Sequence, residues 1–251
     1  MIVLRSEDEI SSMRSAGQII KATFEVLRKS VRPGARTAEL DYIARSEILR
    51  RGGIPAFKGI KVAGREYPAN ICASVNEVVV HGIPSARTLK EGDIVSIDIG
   101  VKFRNYYADA AITVGAGRIS GEAEKLISVT KESLVRGIGN AVAGLRLGDV
   151  SAAIQEHAER HGFSVVRDLV GHGIGSALWE DPQVPNYGKR GTGPRLQAGM
   201  ALAIEPMVNA GTYEVETLAD GWAVVTCDRK LSAHFEHTIV IREGEAEVLT
   251  A

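Results

Sequence analysis

Apolar residues recur at helical spacing in two stretches near the start of the chain. Between residues 9 and 31 they fall three, four and seven positions apart, which predicts a helix with one buried face. The pair Pro33-Gly34 ends this helix, because proline cannot continue it. A second helix is predicted from Thr37, as its N-cap, to Gly52-Gly53. The apolar positions are Ile10, Met13, Ile20, Phe24, Leu27 and Val31 in the first helix and Leu40, Ile43 and Leu49 in the second.

Short segments of strand-like composition follow the two helices, with turn residues between them. They cover residues 54–56, 71–75, 78–80 and 94–101. The last segment carries Asp98 among apolar neighbours, and Asp109 follows 11 positions later. An ionised aspartate in apolar surroundings is costly unless a positive partner lies beside it. Two interpretations are open at this point, a positive partner for Asp98 or an edge strand that turns Asp98 to water.

The order of elements then starts again. A third helix is predicted with Ser120 as its N-cap, and a fourth from about residue 149 to residue 162. Residues 33–36 resemble residues 143–146 at an offset of 110, and the segment ending in Asp98 resembles the segment ending in Glu205 at an offset of 107. This self-similarity predicts a single domain, 1–251, of two duplicated halves, about 1–115 and 116–251. Asp98 and Glu205 then hold equivalent positions in the two halves.

Composition and charge are those of an ordinary globular protein. The 251 residues are 45% hydrophobic and 24% charged, with a formal net charge of −1. This balance does not favour nucleic acid or an anionic membrane as the main partner, and no apolar run reaches the ~20 residues of a membrane span. The acidic N-terminal segment lacks the layout of a signal peptide. Cys72 and Cys227 make no disulfide framework, so we expect a reducing cytoplasm.

Two further residues extend the set of candidate metal ligands. His172 lies between glycines in Gly171-His-Gly-Ile-Gly175, and Glu236 lies in another strand-like apolar run. Each could be a structural residue if it stood alone. With Asp98, Asp109 and Glu205 they would bring four carboxylates and one imidazole into apolar strands, a charge that two divalent cations would neutralise. Oxygen-rich ligation with one imidazole suits Mn, Fe, Co or Zn, and paired cations are a known solution for hydrolysis.

The five residues and their flanks resemble the ligand set of the methionine aminopeptidases, in the short bacterial type I form. The resemblance runs from about residue 2 to residue 249. It implies an α+β pita-bread fold, with two pseudo-two-fold related halves, an antiparallel sheet core and helices on the outer face of the sheet. The motifs that carry it are Asn76-Glu-Val-Val-Val-His81-Gly-Ile-Pro84, Gly171-His-Gly-Ile-Gly175, Glu180-Asp-Pro-Gln-Val184, Ala203-Ile-Glu-Pro-Met207, Asp220-Gly-Trp222 and Phe235-Glu-His-Thr-Ile239.

The resemblance also implies a role for each site residue. One metal takes His172 and Glu205, the other takes Asp98, and Asp109 and Glu236 bridge the two. A water or hydroxide between the metals attacks the scissile carbonyl, with Glu205 as the proton carrier. His81 is similar to the family histidine that contacts the substrate near its N-terminus. Tyr67, Cys72 and Trp222 match the apolar pocket for the methionine side chain, with Cys72 as a wall and not a nucleophile.

Two positions depart from the family pattern on the substrate side. Trp179 stands where the family has a second histidine, which hydrogen-bonds the substrate and polarises its carbonyl. An indole N–H can donate a hydrogen bond but cannot take up a proton. Gly64 stands where many relatives have an aromatic residue of the lining, so we expect a shallower or wider pocket. The metal ligands match in full, whereas the substrate side is altered.

The resemblance therefore implies a cytoplasmic dimetal aminopeptidase that removes the N-terminal methionine from nascent polypeptides with a small second residue. We expect it to act on peptide N-termini, including those of nascent chains at the ribosome, as a monomer with no need of nucleic acid or membrane. Because of Trp179, a pita-bread peptidase of changed specificity is a second interpretation. A non-catalytic peptide-binding protein is a third, against which the retention of five ligands argues.

Overall fold

The structure, a computed structural model, describes residues 2–251 and contains four helices and seventeen strands in that range. The helices are α1 (Glu7–Ser30), α2 (Thr37–Arg50), α3 (Gly121–Gly139) and α4 (Leu147–Arg160). The strands of the first part are β1 (Ile54–Pro55), β2 (Lys61–Val62), β3 (Arg65–Glu66), β4 (Cys72–Val75), β5 (Val78–Val80), β6 (Ile94–Phe103) and β7 (Tyr106–Gly115). Those of the second part are β8 (Ser164–Val165), β9 (Gly171–Gly173), β10 (Glu180–Val184), β11 (Ala201–Ile204), β12 (Met207–Asn209), β13 (Val215–Thr217), β14 (Val224–Thr226), β15 (Ser232–His234), β16 (Glu236–Val240) and β17 (Glu247–Val248).

The first helix forms where the apolar spacing predicts it. Ser6 is its N-cap, and a reciprocal capping box with Glu9 satisfies backbone N–H groups of the first turn. The helix starts at Glu7, two residues before the predicted position, because this cap precedes the apolar stripe. All six predicted apolar positions of this stretch are buried.

The second helix corrects two details of the sequence analysis. Arg36, and not Thr37, is the N-cap, and the Thr37 hydroxyl exchanges hydrogen bonds with the backbone of Ser85 instead. Leu49 is 45% exposed and does not belong to the buried face. The buried residues of this helix are Thr37, Leu40, Ala44 and Ile48, and the predicted Ile43 is half-buried against the same core.

In the second part of the chain, a helix pair again precedes the strands. Ser120 caps α3 as predicted, and its hydroxyl accepts a hydrogen bond from the backbone N–H of Ala123. Helix α4 begins at Leu147 with Arg146 as N-cap, two residues before the predicted start. The order of helix pair then strands therefore occurs twice, while the duplication itself stays a prediction.

An antiparallel nine-stranded sheet carries the centre of the molecule. Its strand order is β1-β6-β7-β16-β11-β9-β10, with β4 paired to β6 and β17 paired to β16. Smaller sheets are β15-β12-β8, β13-β14-β5 and β2-β3. Along β6, the buried Ile97, Ile99 and Val101 join the main hydrophobic core with residues of all four helices. Because side chains alternate along a strand, Asp98 and Gly100 face the opposite side of the sheet from that core.

Among residues 2–251, no helix combines the length and the apolar character that a membrane span requires.

Helix α1 touches the end of the chain at Gly17, which gives a stability prediction. A Cβ added there would lie 2.1 Å from the backbone oxygen of Leu249, so one of the two segments must move. Replacing a helical glycine by alanine usually gains about 0.5–1 kcal/mol, but we expect Gly17→Ala to lose about 1–3 kcal/mol through overpacking. Thermal unfolding checks this as a fall in Tm of about 2–4 °C per kcal/mol.

The matched control is Gly139→Ala, at the end of α3, where an added Cβ meets no atom of the described chain within 4 Å. This variant should keep or raise the Tm. Equal Tm values for the two variants would show that α1 and the C-terminal segment do not pack as the structure has them.

Candidate metal centre

Two carboxylates are brought together by the register of three neighbouring strands. Asp98 on β6 and Glu236 on β16 both pair with Ala111 on β7, from opposite sides. They therefore point to the same face of the sheet, with only the small alanine side chain between them. Asp109 lies two residues before Ala111 on β7 and faces the same way. This register places the three carboxylates in one small area.

The other two candidates reach this area from the second part of the chain. Ala203 on β11 pairs with His172 on β9 and with Thr238 on β16. A small alanine therefore again lies between two strands that carry candidate ligands. Glu205 lies two residues beyond Ala203, directly after β11. The Thr238 hydroxyl accepts from the backbone N–H of Asp109 at 2.8 Å and donates to its carbonyl at 2.8 Å, which fixes this part of β7 to β16.

Distances show that these side chains share one site. One ligand atom from each of Asp109, His172 and Glu236 lies within 4.8 Å of the others. His172 Nε2 is also 3.5 Å from Oε1 of Glu205. The other ring nitrogen, Nδ1, is 2.8 Å from the backbone oxygen of Gly173, to which it must donate. The lone pair of Nε2 is therefore free for a metal, because the hydrogen bond at Nδ1 fixes the tautomer.

Burial shifts the pKa of every group in the cluster in the direction that favours its neutral form. It raises the pKa of Asp98, Glu205 and Glu236 well above the ordinary range, and the charge of Asp109 adds to each rise. Burial likewise raises the pKa of Asp109 to about 6 and lowers that of His172 to about 4. None of these five groups therefore carries a positive charge that would balance the carboxylates at neutral pH.

Three buried carboxylate oxygens without hydrogen-bond partners in the described part of the chain, here called the orphaned oxygens, test whether cations fit this site. Asp98 Oδ1, Asp109 Oδ1 and Glu236 Oε1 are buried and have no hydrogen-bond partner within residues 2–251. Buried carboxylate oxygens without donors are costly, and divalent cations are partners of the right charge for them. The donor set of carboxylate oxygens and one imidazole nitrogen suits Mn, Fe, Co or Zn. The residues present therefore fit a site for divalent metal.

The cluster lies in the wall of a cavity of about 860 Å³. All ten site residues predicted from the sequence line this cavity, namely Tyr67, Cys72, His81, Asp98, Asp109, His172, Trp179, Glu205, Trp222 and Glu236. Tyr67 and Trp222 meet edge to face with ring centroids 5.1 Å apart. Cys72 pairs with Asp98 across β4 and β6, so this apolar wall adjoins the carboxylates.

The remaining predicted residues differ in their surroundings. Burial lowers the pKa of His81, which keeps the imidazole neutral at pH 7. Trp179 is 49% exposed and lies in the turn before β10. Glu180 holds this turn, because it accepts from the backbone N–H of Ala177 at 2.9 Å and pairs with the buried guanidinium of Arg5. Gly64 occupies the turn between β2 and β3 at a φ of 78°, while Val62 of the same hairpin lines the cavity.

Sequence reasoning missed two buried residues beside the cluster. Asn186 donates from Nδ2 to the backbone oxygen of Glu205 at 3.0 Å. His234 places its Nε2 3.9 Å from Oε2 of Glu205, and burial, with the nearby His81, lowers its pKa to about 3. The spacing of two between His234 and Glu236 was an available signal, because residues two apart in an extended segment face the same side. No comparable signal marks Asn186, which lies in an irregular segment after β10.

Comparison with known proteins agrees with this geometry. The pattern of metallopeptidase family M24 matches residues 11–243, and the chain belongs to this family. The methionine aminopeptidase of Clostridium perfringens (strain 13 / Type A) is 54% identical over 250 residues, covering 100% of this chain and 99% of the relative. The protein is therefore a metallopeptidase that uses divalent metal.

Solved structures confirm the α+β pita-bread fold expected from the sequence. The crystal structure of a methionine aminopeptidase from Thermotoga maritima is 45% identical, with a TM-score of 0.96 over 100% of this chain and 99% of that one. A prolidase from Pyrococcus furiosus is 20% identical, with a TM-score of 0.79 over 99% of this chain and 65% of that one, a likeness of fold alone.

The contrast between the two cysteines gives a prediction for the cavity wall. Cys72 is buried, and burial raises the pKa of its thiol well above the ordinary value, whereas Cys227 is exposed. Because the thiolate is the reactive form, we expect iodoacetamide to modify Cys227 alone in the native protein. Mass spectrometry of tryptic peptides reads the site of modification. Cys227→Ser should stay unmodified until the protein is denatured; rapid labelling of Cys72 in this variant would mean that the wall is open to solvent.

Proposed function

We propose that this protein removes the N-terminal methionine from polypeptides whose second residue is small. The observation that supports this most directly is that four carboxylates and one imidazole line the same cavity as an apolar wall. The relatives named methionine aminopeptidase, which match over the whole chain, point to the same substrate.

Five residues hold the metal in this proposal. His172 and Glu205 would hold one cation and Asp98 the other, with Asp109 and Glu236 as further ligands of the pair. Bound divalent cations supply Lewis-acid polarisation of the scissile carbonyl and activation of water. The orphaned oxygens of Asp98, Asp109 and Glu236 support this assignment, because each lacks a donor among the described residues.

Two protein groups handle protons and hydrogen bonds in the proposed reaction. Glu205 carries the proton from the attacking water to the leaving amine, because a carboxylate in this place can accept a proton and release it again. His81 lies in the same cavity as a neutral imidazole, and it hydrogen-bonds the backbone of the substrate near its N-terminus. Neither role requires a positively charged side chain, which suits a site that binds cations.

The apolar wall selects the methionine side chain. Tyr67, Cys72 and Trp222 offer two aromatic rings and a thiol, and an unbranched thioether packs well against such surfaces. The hydroxyl of Tyr67 lies 3.0 Å from the backbone oxygen of Ile71, so the polar end of this ring is already satisfied. The substrate therefore meets the flat aromatic surface and no unpaired polar group of Tyr67.

A peptidase of changed specificity is the second candidate, and Trp179 is the observation that favours it. The indole replaces an imidazole at the cavity and cannot move a proton. It also projects a large apolar surface at the position where the residue after methionine enters. A peptide-binding protein without catalysis is disfavoured, since binding alone has no use for a cluster of buried carboxylates.

The cellular setting forms part of the proposal. We infer that the protein acts in the cytoplasm, as a monomer, on nascent chains close to the ribosome. The near-neutral net charge of −1 and the apolar cavity favour a peptide substrate over nucleic acid or membrane. We also propose that the single domain arose from two duplicated halves, which the repeated order of helix pair and strands supports.

A peptide panel tests the proposal. The purified protein is loaded with Mn(II) or Co(II) and offered Met-Ala-Ser, Leu-Ala-Ser and an Xaa-Pro peptide, and the released amino acid is measured. Release of methionine alone, abolished by chelation, supports methionine removal. Turnover of only the other peptides supports changed specificity, and binding of peptides without any turnover would overturn both enzymatic proposals.

A further inference from the structure

His234 is a buried histidine to which the proposed function gives no task. It ends β15, pairs with Met207 on β12, and is 2% exposed at its side chain. Its backbone is fixed from a third strand, because the Thr113 hydroxyl accepts from its N–H at 2.9 Å and donates to its carbonyl at 2.8 Å. The main chain therefore holds this imidazole at a defined place beside the carboxylate cluster.

The Nε2 atom of this imidazole has no hydrogen-bond partner within the described chain. Oε2 of Glu205 lies 3.9 Å from it. The other oxygen of the same carboxylate, Oε1, is 3.5 Å from Nε2 of His172. Glu205 is thus flanked by two imidazoles, one at each oxygen. A buried ring nitrogen without a hydrogen-bond partner is costly, so a partner for Nε2 is expected at this site.

A small movement of one side chain supplies the missing partner. A hydrogen bond between nitrogen and oxygen spans about 2.7–3.2 Å, so a change of less than about 1 Å closes the gap of 3.9 Å. Asn186 binds the backbone oxygen of Glu205 at 3.0 Å, which leaves rotation of the carboxyl group as the freedom that remains. Next to a carboxylate, electrostatics favours the imidazole form that carries its hydrogen on Nε2, whatever the charge of the ring.

We propose that His234 is a positioning residue for Glu205. It donates from Nε2 to Oε2 of Glu205 and so directs Oε1 towards the side of the cavity where His172 lies. This orientation is the one a metal shared by Glu205 and His172 requires. The inference rests on the proposed function only in taking Glu205 as a metal ligand. Groups that orient a ligand typically change metal affinity or activity by about 10–100-fold when removed.

Mn(II) affinity measures this role without relying on turnover. Isothermal titration calorimetry on the metal-free protein gives Kd for the parent, for His234→Leu and for His234→Gln. We expect the leucine variant to bind Mn(II) about 10–100-fold more weakly. The glutamine variant keeps an N–H donor of similar reach, so it should stay within about threefold of the parent.

A double-mutant cycle tests whether the effect passes through Glu205. In the Glu205→Gln background, His234→Leu should cause little further loss of Mn(II) affinity, because its partner carboxylate is already gone. His157→Leu is the matched control, since this histidine is also buried but lies on α4, outside the cavity. It should leave Mn(II) affinity unchanged even where it lowers Tm.

The outcomes decide the inference in either direction. Unchanged Mn(II) affinity in His234→Leu, or an equal loss with and without Glu205, would overturn it. If His234→Leu does not fold, His234→Asn takes its place, because the shorter amide cannot reach Glu205 and should behave as the leucine variant does. Failure of the proposed function is read separately, as absence of methionine release from the metal-loaded parent, and leaves the metal-binding cycle intact.

Discussion

Replacing Asp109 by asparagine abolishes hydrolysis of Met-Ala-Ser, with an expected fall in kcat/KM of at least about 1000-fold. A carboxylate oxygen of Asp109, a ring nitrogen of His172 and a carboxylate oxygen of Glu236 all lie within 4.8 Å of one another. An amide oxygen carries no charge and binds a divalent cation far less strongly than a carboxylate does. The contribution of metal-ion catalysis is several kcal/mol, and each 1.36 kcal/mol is about tenfold in rate.

The same substitution stabilises the protein in the absence of metal. Burial raises the pKa of Asp109 from 3.8 to about 6, so the folded state holds a proton more tightly than the unfolded state. The stabilising contribution of Asp109 to the free energy of unfolding is therefore fully present below pH 3.8 and is lost as the pH rises through about 6. Asparagine cannot ionise and avoids the loss, so Asp109→Asn should raise the Tm of the metal-free protein at pH 7.5 by a few degrees, at about 2–4 °C per kcal/mol.

Steady-state kinetics with Mn(II) and thermal unfolding with a chelator check the two halves of this prediction on one preparation. The difference in Tm should shrink as the pH falls from 7.5 towards 4, because both proteins are then neutral at this position. Asp8→Asn, an exposed residue of the first turn of α1, is the control and should change neither rate nor metal-free stability by much. A variant that loses activity together with metal-free stability would point to general unfolding and not to a lost ligand.

Replacing Trp179 by histidine raises kcat/KM for Met-Ala-Ser, and about tenfold is the effect we expect. A hydrogen-bond donor aimed at developing charge is typically worth about 10²–10³ in rate, and the indole supplies this only in part. The imidazole can both donate a hydrogen bond and exchange a proton. Because Trp179 is 49% exposed, its removal opens no large cavity in the core and should leave Tm nearly unchanged.

A series at this one position separates the functions of the indole. Trp179→Phe keeps an aromatic ring and removes the N–H, so it should be slower than the parent if the N–H donates to the substrate. Peptides with Ala, Val or Leu after methionine show whether the indole narrows the entrance, since Trp179→His should then accept the larger residues better. An unchanged or lower rate of Trp179→His with all three peptides would show that tryptophan has a role of its own here.

Local patterns along the chain were enough to predict much of the fold. The apolar spacing in α1 and the cap at Ser120 depend on residues close in sequence, and both are found as predicted. Errors arose where a distant segment decides. Thr37 bonds to Ser85 and so is not free to cap α2, and a residue 48 positions away cannot be seen in a local pattern.

The candidate site could be predicted for a different reason. Asp98, Glu205 and Glu236 are acids in or directly beside apolar strands, a conflict that a charge partner must resolve, and this conflict is visible in the sequence itself. His234 and Asn186 show no such conflict, because a histidine at a strand end and an asparagine in a loop are both ordinary. Their importance comes from the distances to Glu205, which only the folded sheet defines.

The cluster draws its ligands from β6, β7, β9 and β16 and from the residue after β11, which lie far apart in the sequence. A cation bound there would act as a cross-link between these segments and stabilise the folded state. Amide hydrogen exchange should therefore slow in all of these central strands together when metal is added, while the exposed β2–β3 hairpin keeps its rate. In a metal-poor cell the protein would lack this stabilisation and unfold more often, so the supply of metal would set the lifetime of the protein as well as its activity.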